Sequence, residues 1–174
     1  LLSAFEKPLV AAVAGNAVGI GTTMLLHCDL VYAAENAKFQ LPFVNLALCP
    51  EAGSSLLLPR LAGHQRAAEL LLLGEPFDAA TAREAGFVNR VVAADQLMET
   101  AMAAARKLAA LPSQSLAVTK ALMKRPPDRS AIETIDEEAI YFADLVAAPA
   151  AKEIISAFLE KRAPDPGKIH GAKP

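Results

Sequence analysis

The sequence predicts an α/β fold followed by a purely helical region, with the boundary between residues 92 and 93. Two observations support this prediction. First, apolar runs bounded by proline or glycine alternate with helical patterns as far as residue 92, which is typical of strands buried on both faces of a sheet. Second, only helical patterns follow residue 93. We therefore expect an α/β core over residues 1–92 and a helical C-terminal region with a tail over residues 93–174.

Residues that favour turns and helix ends mark the limits of the individual helices and strands. The run PLVAAVA ends at Gly15 and predicts a buried strand, and glycines then open a buried helix. Gly74 ends one helix and Asp78 begins the next, because glycine favours the position after a helix and aspartate accepts hydrogen bonds from its first N–H groups. The predicted strands are residues 8–14, 29–34, 37–41 and 87–92, and the predicted helices are residues 18–28, 54–61, 63–73, 78–85, 95–111, 112–125, 130–147 and 149–162.

Composition excludes several classes of protein. Hydrophobic residues make up 53% of the 174 residues, enough for a large core, and the net charge of −2 gives no basic field for nucleic acid. The uncharged run between Lys7 and Asp29 contains glycines and His27, so it predicts a strand and a helix rather than a membrane span. It also lacks the basic leader of a signal peptide. We expect a soluble cytoplasmic protein with neither membrane nor nucleic-acid partners.

The cysteines and histidines exclude further chemistry. Cys28 and Cys49 form no C-x-x-C pair and lie among apolar residues, so we expect buried free thiols in a reducing compartment, although spacing alone leaves a disulfide open. No cluster of His, Cys, Asp and Glu has metal-ligand spacing. No G-x-S-x-G motif accompanies the histidines. The sequence therefore predicts neither a metal site nor a serine hydrolase.

One acidic residue is a candidate for chemistry. Glu51 lies in the turn CPEAGSS, and the only other charges between Lys7 and Glu51 are Asp29, Glu35 and Lys38. A carboxylate among apolar residues is costly to bury, which favours its protonated form and suits a group that passes a proton to and from a substrate. Capping of the helix that follows explains the same residue equally well.

Glycines at the strand-to-helix junction form a second candidate site. Gly15, Gly19 and Gly21 occur in AGNAVGIG, which matches neither the dinucleotide-binding pattern G-x-G-x-x-G nor a Walker A loop. They allow exposed backbone N–H groups at a helix start, where such groups stabilise a developing oxyanion. Close packing of the helix on the strand is the alternative, and spacing alone slightly favours it.

The segments that carry these candidates resemble a known family. The string KPLVAAVAGNAVGIGTTMLLHCDLVYAAENAKFQLPFVNLALCPEAGSSLLLPRLAG, the later GEPFDAATAREAGFVNRVV and the closing AFLEKR are similar to the crotonase, or enoyl-CoA hydratase/isomerase, superfamily. The resemblance extends from Lys7 to about Arg162 and leaves out the N-terminal part of a family member. It implies a crotonase-like spiral of ββα units with a helical C-terminal region used for trimerisation.

The resemblance also implies a substrate and a site. The substrate is an acyl-CoA thioester, so coenzyme A arrives with the substrate and no separate cofactor is needed. Two backbone N–H groups hold the thioester oxygen: one belongs to Ile20, and the other to the N-terminal part of a family member that this chain does not include. We therefore expect the chain alone to be inactive or poorly folded, and the protein to form a homotrimer or a dimer of trimers. The residues around Ile20 that are expected to contact substrate are Ala17, Val18, Gly19 and Gly21.

Two departures from the family's hydratases favour a different reaction. Where hydratases carry two glutamates that hold and activate water, this chain has Thr23 and Phe43. Glu51, in a Pro-Glu-Ala-Gly turn, resembles the single acid of the isomerases that convert 3-enoyl-CoA to 2-enoyl-CoA. One base in a dry, apolar pocket can move a proton from C2 to C4 through a dienolate whose charge lies on the thioester oxygen. The resemblance therefore implies a double-bond isomerase with Glu51 as base and then acid.

Several other residues are candidates for substrate contacts. Phe43, Leu46 and Leu48 are expected in the wall of the acyl pocket. Phe158 and Lys161 are expected to contact CoA, either that of the same subunit or that of a neighbouring one, with a helix packing face and a solvated charge as equally good explanations. Two other functions stay open: a crotonase-type reaction on another acyl-CoA, such as a ring-derived one, and a subunit that binds acyl-CoA or a partner without catalysis. Retention of Glu51 argues against the second.

Overall fold

The computed structural model describes residues 2–126 and 128–170 of the chain. The chain forms two compact units, Leu1–Arg106 and Lys107–Pro174. Among the described residues, no helix is both long and apolar enough to cross a lipid bilayer.

Two three-stranded sheets form the centre of the first unit. The strands are β1 (Val10–Val13), β2 (Asn16–Val18), β3 (Leu30–Ala34), β4 (Lys38–Gln40), β5 (Phe77–Asp78) and β6 (Arg90–Val92). In one sheet β1, β3 and β6 are all parallel; in the other β2 and β4 are parallel and β5 is antiparallel to β4. Because β1 leads into β2 and β3 into β4, the first two turns of the chain each contribute one strand to each sheet, as expected for a ββα spiral.

Strand β3 is buried on both faces, as the apolar sequence predicts. Side chains along a strand alternate between its faces, and accordingly Val31 packs in one cluster of buried residues and Tyr32 in another, where it meets Leu97. Phenylalanines fill the larger cluster: Phe39 is stacked on Phe77 with ring centroids 5.8 Å apart and meets Phe87 edge-on at 5.7 Å. This core supports the segments that carry the candidate site.

The predicted helix over residues 18–28 is shorter than expected. Asn16, which lies between the predicted strand and the predicted helix, pairs with Lys38 across two strands, and Gly19 then turns the chain with φ 55°. A 3₁₀ turn, Met24–His27, follows α1 (Ile20–Thr23) directly. The prediction failed here because the pairing of β2 with β4 depends on residues distant in sequence. The helices that begin in the first unit are α1 (Ile20–Thr23), α2 (Ser54–Ala62), α3 (His64–Ala68), α4 (Ala79–Glu84) and α5 (Leu97–Ala109).

Helix-ending and helix-starting signals were predicted correctly. Asp78 caps α4 by accepting a hydrogen bond of 2.8 Å from the Thr81 N–H, and Gly74 adopts the left-handed conformation with φ 63° after a π-helical turn, Glu69–Leu73. A Cβ atom at Gly74 would lie 1.9 Å from Asn45 Oδ1 and 3.3 Å from the Leu41 carbonyl oxygen. Only glycine therefore fits this turn without a shift of its neighbours.

The second unit is helical throughout its described elements, as predicted. Ser130 and Glu133 form a reciprocal capping box at the start of its longest helix, and Pro149 occupies the first turn of the next, where its missing N–H costs nothing. One short helix forms inside the predicted tail, and residues 171–174 of that tail lie outside the described residues. The helices are α6 (Ser113–Met123), α7 (Ala131–Ala147), α8 (Pro149–Leu159) and α9 (Pro166–His170).

Candidate active site

The glycine-bearing segment leads into α1, and the first backbone N–H group of this helix is that of Ile20. The Gly19 carbonyl accepts hydrogen bonds of 2.9 Å from both Thr22 N–H and Thr23 N–H, and the Gly19 N–H donates to Gln40 of β4. In the part of the chain that the structure describes, the Ile20 N–H has no backbone acceptor, as expected for the first residue of a helix. This N–H is therefore free to bind an oxygen of another molecule.

Glu51 contacts this same helix. The Thr23 hydroxyl donates a hydrogen bond to the Glu51 carboxylate, and Thr23 itself is completely buried. Thr23 lies three residues after Ile20, so the acid and the free N–H group both belong to the surroundings of α1. The alternative role of Glu51, capping α2 with its side chain, is not what the structure shows: Gly53 precedes α2, and no side chain caps it.

The environment of Glu51 differs from the expected dry pocket. The residue is exposed in this chain, and its carboxylate meets a hydroxyl group rather than only apolar atoms. Thr23 stands where hydratases carry an acid, and no role for its hydroxyl group was predicted. Its contact with Glu51 joins residues 28 positions apart, which no local pattern in the sequence reveals.

The backbone of the Glu51 turn is held on both sides. His27 Nε2 lies 2.7 Å from the Ala52 carbonyl oxygen, and the buried Ser54 hydroxyl donates a hydrogen bond of 2.7 Å to the Glu51 carbonyl oxygen. Ala52 adopts a left-handed conformation with φ 53°, which is unfavourable for a residue with a Cβ atom. Neither His27 nor Ser54 was predicted to take part in the site.

The other candidates divide into buried and exposed residues. Ala17 and Phe43 are buried in the core, whereas Val18 and Leu46 are exposed together with Leu48. Phe43, expected in the wall of the acyl pocket, therefore packs mainly against the protein's own side chains. Exposed residues of this apolar set provide the surface available to a ligand. They are Val18, Ile20, Leu46 and Leu48.

The two CoA candidates lie in the second unit. Phe158 is 81% exposed near the end of α8, and Lys161 follows in a left-handed conformation with φ 53°. Neither Cys28 nor Cys49 forms a disulfide; Cys28 is half-buried, but Cys49 is exposed, which corrects the expectation that both are buried. Across residues 2–126 and 128–170, no group of three or more His, Cys, Asp or Glu side chains is arranged to hold a metal ion.

Solved structures identify the fold. The chain matches a protein from Magnetospirillum magneticum AMB-1, provisionally named an enoyl-CoA hydratase/carnithine racemase, with a TM-score of 0.91 and 54% identity over 94% of this chain and 65% of that one. An enoyl-CoA hydratase from Polaromonas sp. JS666 matches with a TM-score of 0.88 and 33% identity over 94% of this chain and 64% of that one. The architecture is the crotonase fold with its helical C-terminal region, as predicted.

A family model described as enoyl-CoA hydratase/isomerase matches residues 1–167, and the chain belongs to this family. Two relatives from Escherichia coli (strain K12) illustrate its range. The 2,3-dehydroadipyl-CoA hydratase is 38% identical over 94% of this chain and 64% of the relative. The 1,2-epoxyphenylacetyl-CoA isomerase is 38% identical over 94% of this chain and 62% of the relative. The chain thus spans less than two thirds of the length of these relatives.

Proposed function

We propose that the protein is an acyl-CoA double-bond isomerase that converts 3-enoyl-CoA to 2-enoyl-CoA with Glu51 as its single proton carrier. The observation that carries the proposal is the hydrogen bond between Thr23 and Glu51. This bond holds the carboxylate beside α1, the helix whose first N–H group has no backbone acceptor among the described residues. Membership of a family that includes acyl-CoA hydratases and isomerases supports the substrate class.

The proposed reaction needs one base and one oxyanion site. Ionised Glu51 takes a proton from C2 of the 3-enoyl thioester, and the electrons of that C–H bond form a dienolate with its charge on the thioester oxygen. The Ile20 N–H stabilises this charge, and Gly19 and Gly21 give the thioester access to the backbone. Protonated Glu51 then returns the proton to C4, leaving the double bond between C2 and C3. The Glu51 carboxylate is thereby regenerated and the proton is bound at C4 of the product, so no other reactant is consumed.

Thr23 and Phe43 support isomerisation over hydration. Hydration requires groups that hold and activate a water molecule, and neither residue offers a carboxylate there. Phe43 is buried in the apolar core, and the Thr23 hydroxyl is already bound to Glu51. Of the carboxylates that such a site uses, Glu51 is the one that these residues leave, and a single carboxylate is sufficient for moving a proton between two carbon atoms of the same substrate.

The apolar surface near the site supports an acyl-chain substrate. We propose that Val18, Leu46 and Leu48 contact the acyl chain, since all three are large, apolar and exposed. Ala17 supports this segment from the core, and Phe43 supports the Leu46 turn in the same way. Phe158 and Lys161 remain the proposed contacts for CoA, with Lys161 providing a cation for a phosphate.

Substitution of Glu51 tests the proposal. We expect Glu51→Gln, made in a protein that also carries the N-terminal part of a family member, to lower kcat/KM for a 3-enoyl-CoA by about 10³-fold or more, since glutamine has the same shape but cannot accept the proton. The matched control is Glu35→Gln, which changes an exposed glutamate directly after β3 and should retain full activity. Formation of the conjugated product is followed by its ultraviolet absorbance. Equal rates for Glu51→Gln and Glu35→Gln would reject the assignment.

A ring-derived acyl-CoA is the second candidate substrate. The relative named 1,2-epoxyphenylacetyl-CoA isomerase favours it, because it is as similar to this chain as the relative named as a hydratase. A panel of linear 3-enoyl-CoA and ring-derived acyl-CoA substrates distinguishes the two. Turnover of ring-derived substrates alone would replace our first proposal, and turnover that survives Glu51→Gln would reject both.

A further inference from the structure

His27 links α1 to the turn that carries Glu51. Its Nε2 atom lies 2.7 Å from the Ala52 carbonyl oxygen, 25 residues further along the chain. A carbonyl oxygen only accepts hydrogen bonds, so Nε2 must carry the proton and donate it. The neutral ring with its proton on Nε2 and the doubly protonated ring both provide this donor. The contact therefore does not depend on the charge of His27.

Thr23 and His27 reach the same turn from consecutive turns of one continuous segment. Thr23 is the last residue of α1 and His27 the last residue of the 3₁₀ turn Met24–His27 that follows it directly. Thr23 binds the Glu51 side chain, and His27 binds the carbonyl group of the next residue. One short segment therefore holds the proposed proton carrier and also begins with the proposed oxyanion donor, Ile20.

The conformation of Ala52 shows why this contact is needed. With φ 53°, Ala52 is in the left-handed region, which is unfavourable for a residue with a Cβ atom. Such a conformation persists only where the surroundings fix it. The hydrogen bond from His27 to Ala52 and the one from Ser54 to the Glu51 carbonyl oxygen provide this restraint on the two adjacent peptide groups.

We propose that His27 is a positioning residue: by holding the Ala52 carbonyl group, it fixes the Glu51 carboxylate at the correct distance from the Ile20 N–H. The inference rests on the proposed function, because it assigns His27 a role through Glu51. Its importance follows from the sensitivity of proton transfer to geometry, where a displacement of about 1 Å can cost about 100-fold in rate. His27 does not touch the substrate in this scheme.

Two variants that differ by one methylene group test the proposal. His27→Gln keeps an N–H donor at a similar reach, whereas His27→Asn carries the same amide on a shorter side chain. We expect kcat to fall about 10- to 100-fold in His27→Asn with KM nearly unchanged, and to stay within about threefold of wild type in His27→Gln. His64→Ala is the control, because His64 is exposed at the start of α3.

Thermal unfolding and the Glu51→Gln variant complete the experiment. If His27 is only structural, both amide variants have a lower thermal stability and a smaller fraction of folded enzyme. Their kcat per folded molecule then equals that of His64→Ala, and this result overturns the inference. Equal kcat values for His27→Asn and His27→Gln also overturn it. If Glu51→Gln is inactive while both His27 variants are normal, only the positioning role fails. If Glu51→Gln is fully active, the proposed function itself fails.

Discussion

At the residue scale, the hydroxyl group of Thr23 decides where the Glu51 carboxylate lies. Thr23 is fully buried, so its hydroxyl needs a partner within the protein, and the carboxylate is that partner. Hydrogen bonds to a charged group contribute about 1.5–3 kcal/mol, more than those between neutral groups. An exposed acid thereby acquires a defined position beside α1.

Replacement of this hydroxyl is expected to disorder Glu51 without disturbing the core. Thr23→Val keeps the shape of the side chain but removes the donor, and we expect kcat for a 3-enoyl-CoA to fall about 10- to 100-fold, as the loss of a charge-assisted hydrogen bond implies. Thr23→Ser keeps the donor and should retain most of the activity. Steady-state kinetics of the two variants provide the comparison, and a Thr23→Val enzyme as active as Thr23→Ser would contradict the role of the hydroxyl.

The sequence located the acid but not the residues that hold it. Glu51 was recognisable because charges are scarce around it and because its turn resembles that of the isomerases. Thr23, His27 and Ser54 were not assigned to the site, since the contacts of Thr23 and His27 join residues 28 and 25 positions apart. The exposure of Glu51 was also missed, because burial depends on the arrangement of the whole chain rather than on neighbouring residues.

At the element scale, local signals predicted helix ends better than strands. Asp78 and Gly74 act through contacts within a few residues, so their roles follow from residue type and position. Strand β2 was missed because Asn16 pairs with Lys38, and strand pairing of this kind leaves little trace in a three-residue segment. The family resemblance supplied the spiral topology that periodicity alone did not.

The turn between α8 and α9 depends on a single carboxylate. Glu153 is only 6% exposed, and it accepts hydrogen bonds from Arg162 Nη1 at 2.5 Å, the Asp165 N–H at 3.0 Å and Lys168 Nζ at 3.3 Å. The hydrogen bond from Arg162 is the largest cause that lowers the pKa of Glu153 to about 2, followed by the one from the Asp165 N–H. The charged form of Glu153 therefore stabilises this end of the second unit.

Lowering the pH should remove this stabilisation in a defined range. A carboxyl group with a lowered pKa in the folded state stabilises the protein above its ordinary value of 4.5, and this contribution is lost as the pH falls towards about 2. Wild type should therefore exceed Glu153→Gln in free energy of unfolding at pH 6, and the difference should shrink between pH 4.5 and 2. Urea unfolding of both proteins at each pH measures this difference in the free energy of unfolding. Glu138→Gln, a change at an exposed residue of α7, is the control. A difference that stays constant with pH would contradict the role of Glu153.

At the scale of the whole molecule, the second unit exposes more large apolar side chains than a monomer usually leaves in water. A groove with a volume of about 610 Å³ runs among its helices, and Phe142, Val146 and Ile155 are among the residues that line it. We propose that this surface is covered by other copies of the chain in a homotrimer or a dimer of trimers, as the family resemblance implies. Apart from Phe158, the proposed CoA contact, the most exposed of these side chains are Met123, Ile132, Ile135, Ile140, Phe142 and Leu159.

Placing a charge on this surface should separate the subunits. Phe142 is 72% exposed within one chain, so Phe142→Glu should barely affect the folding of that chain. In an assembly, however, the same change buries an unpaired carboxylate, which costs far more than the lost apolar contact. We therefore expect sedimentation velocity to show a trimer or hexamer for wild type and for the apolar control Phe142→Leu, and smaller species for Phe142→Glu. A wild-type protein that sediments as a monomer at micromolar concentration would contradict the proposed assembly, and the exposed side chains would then require a different partner.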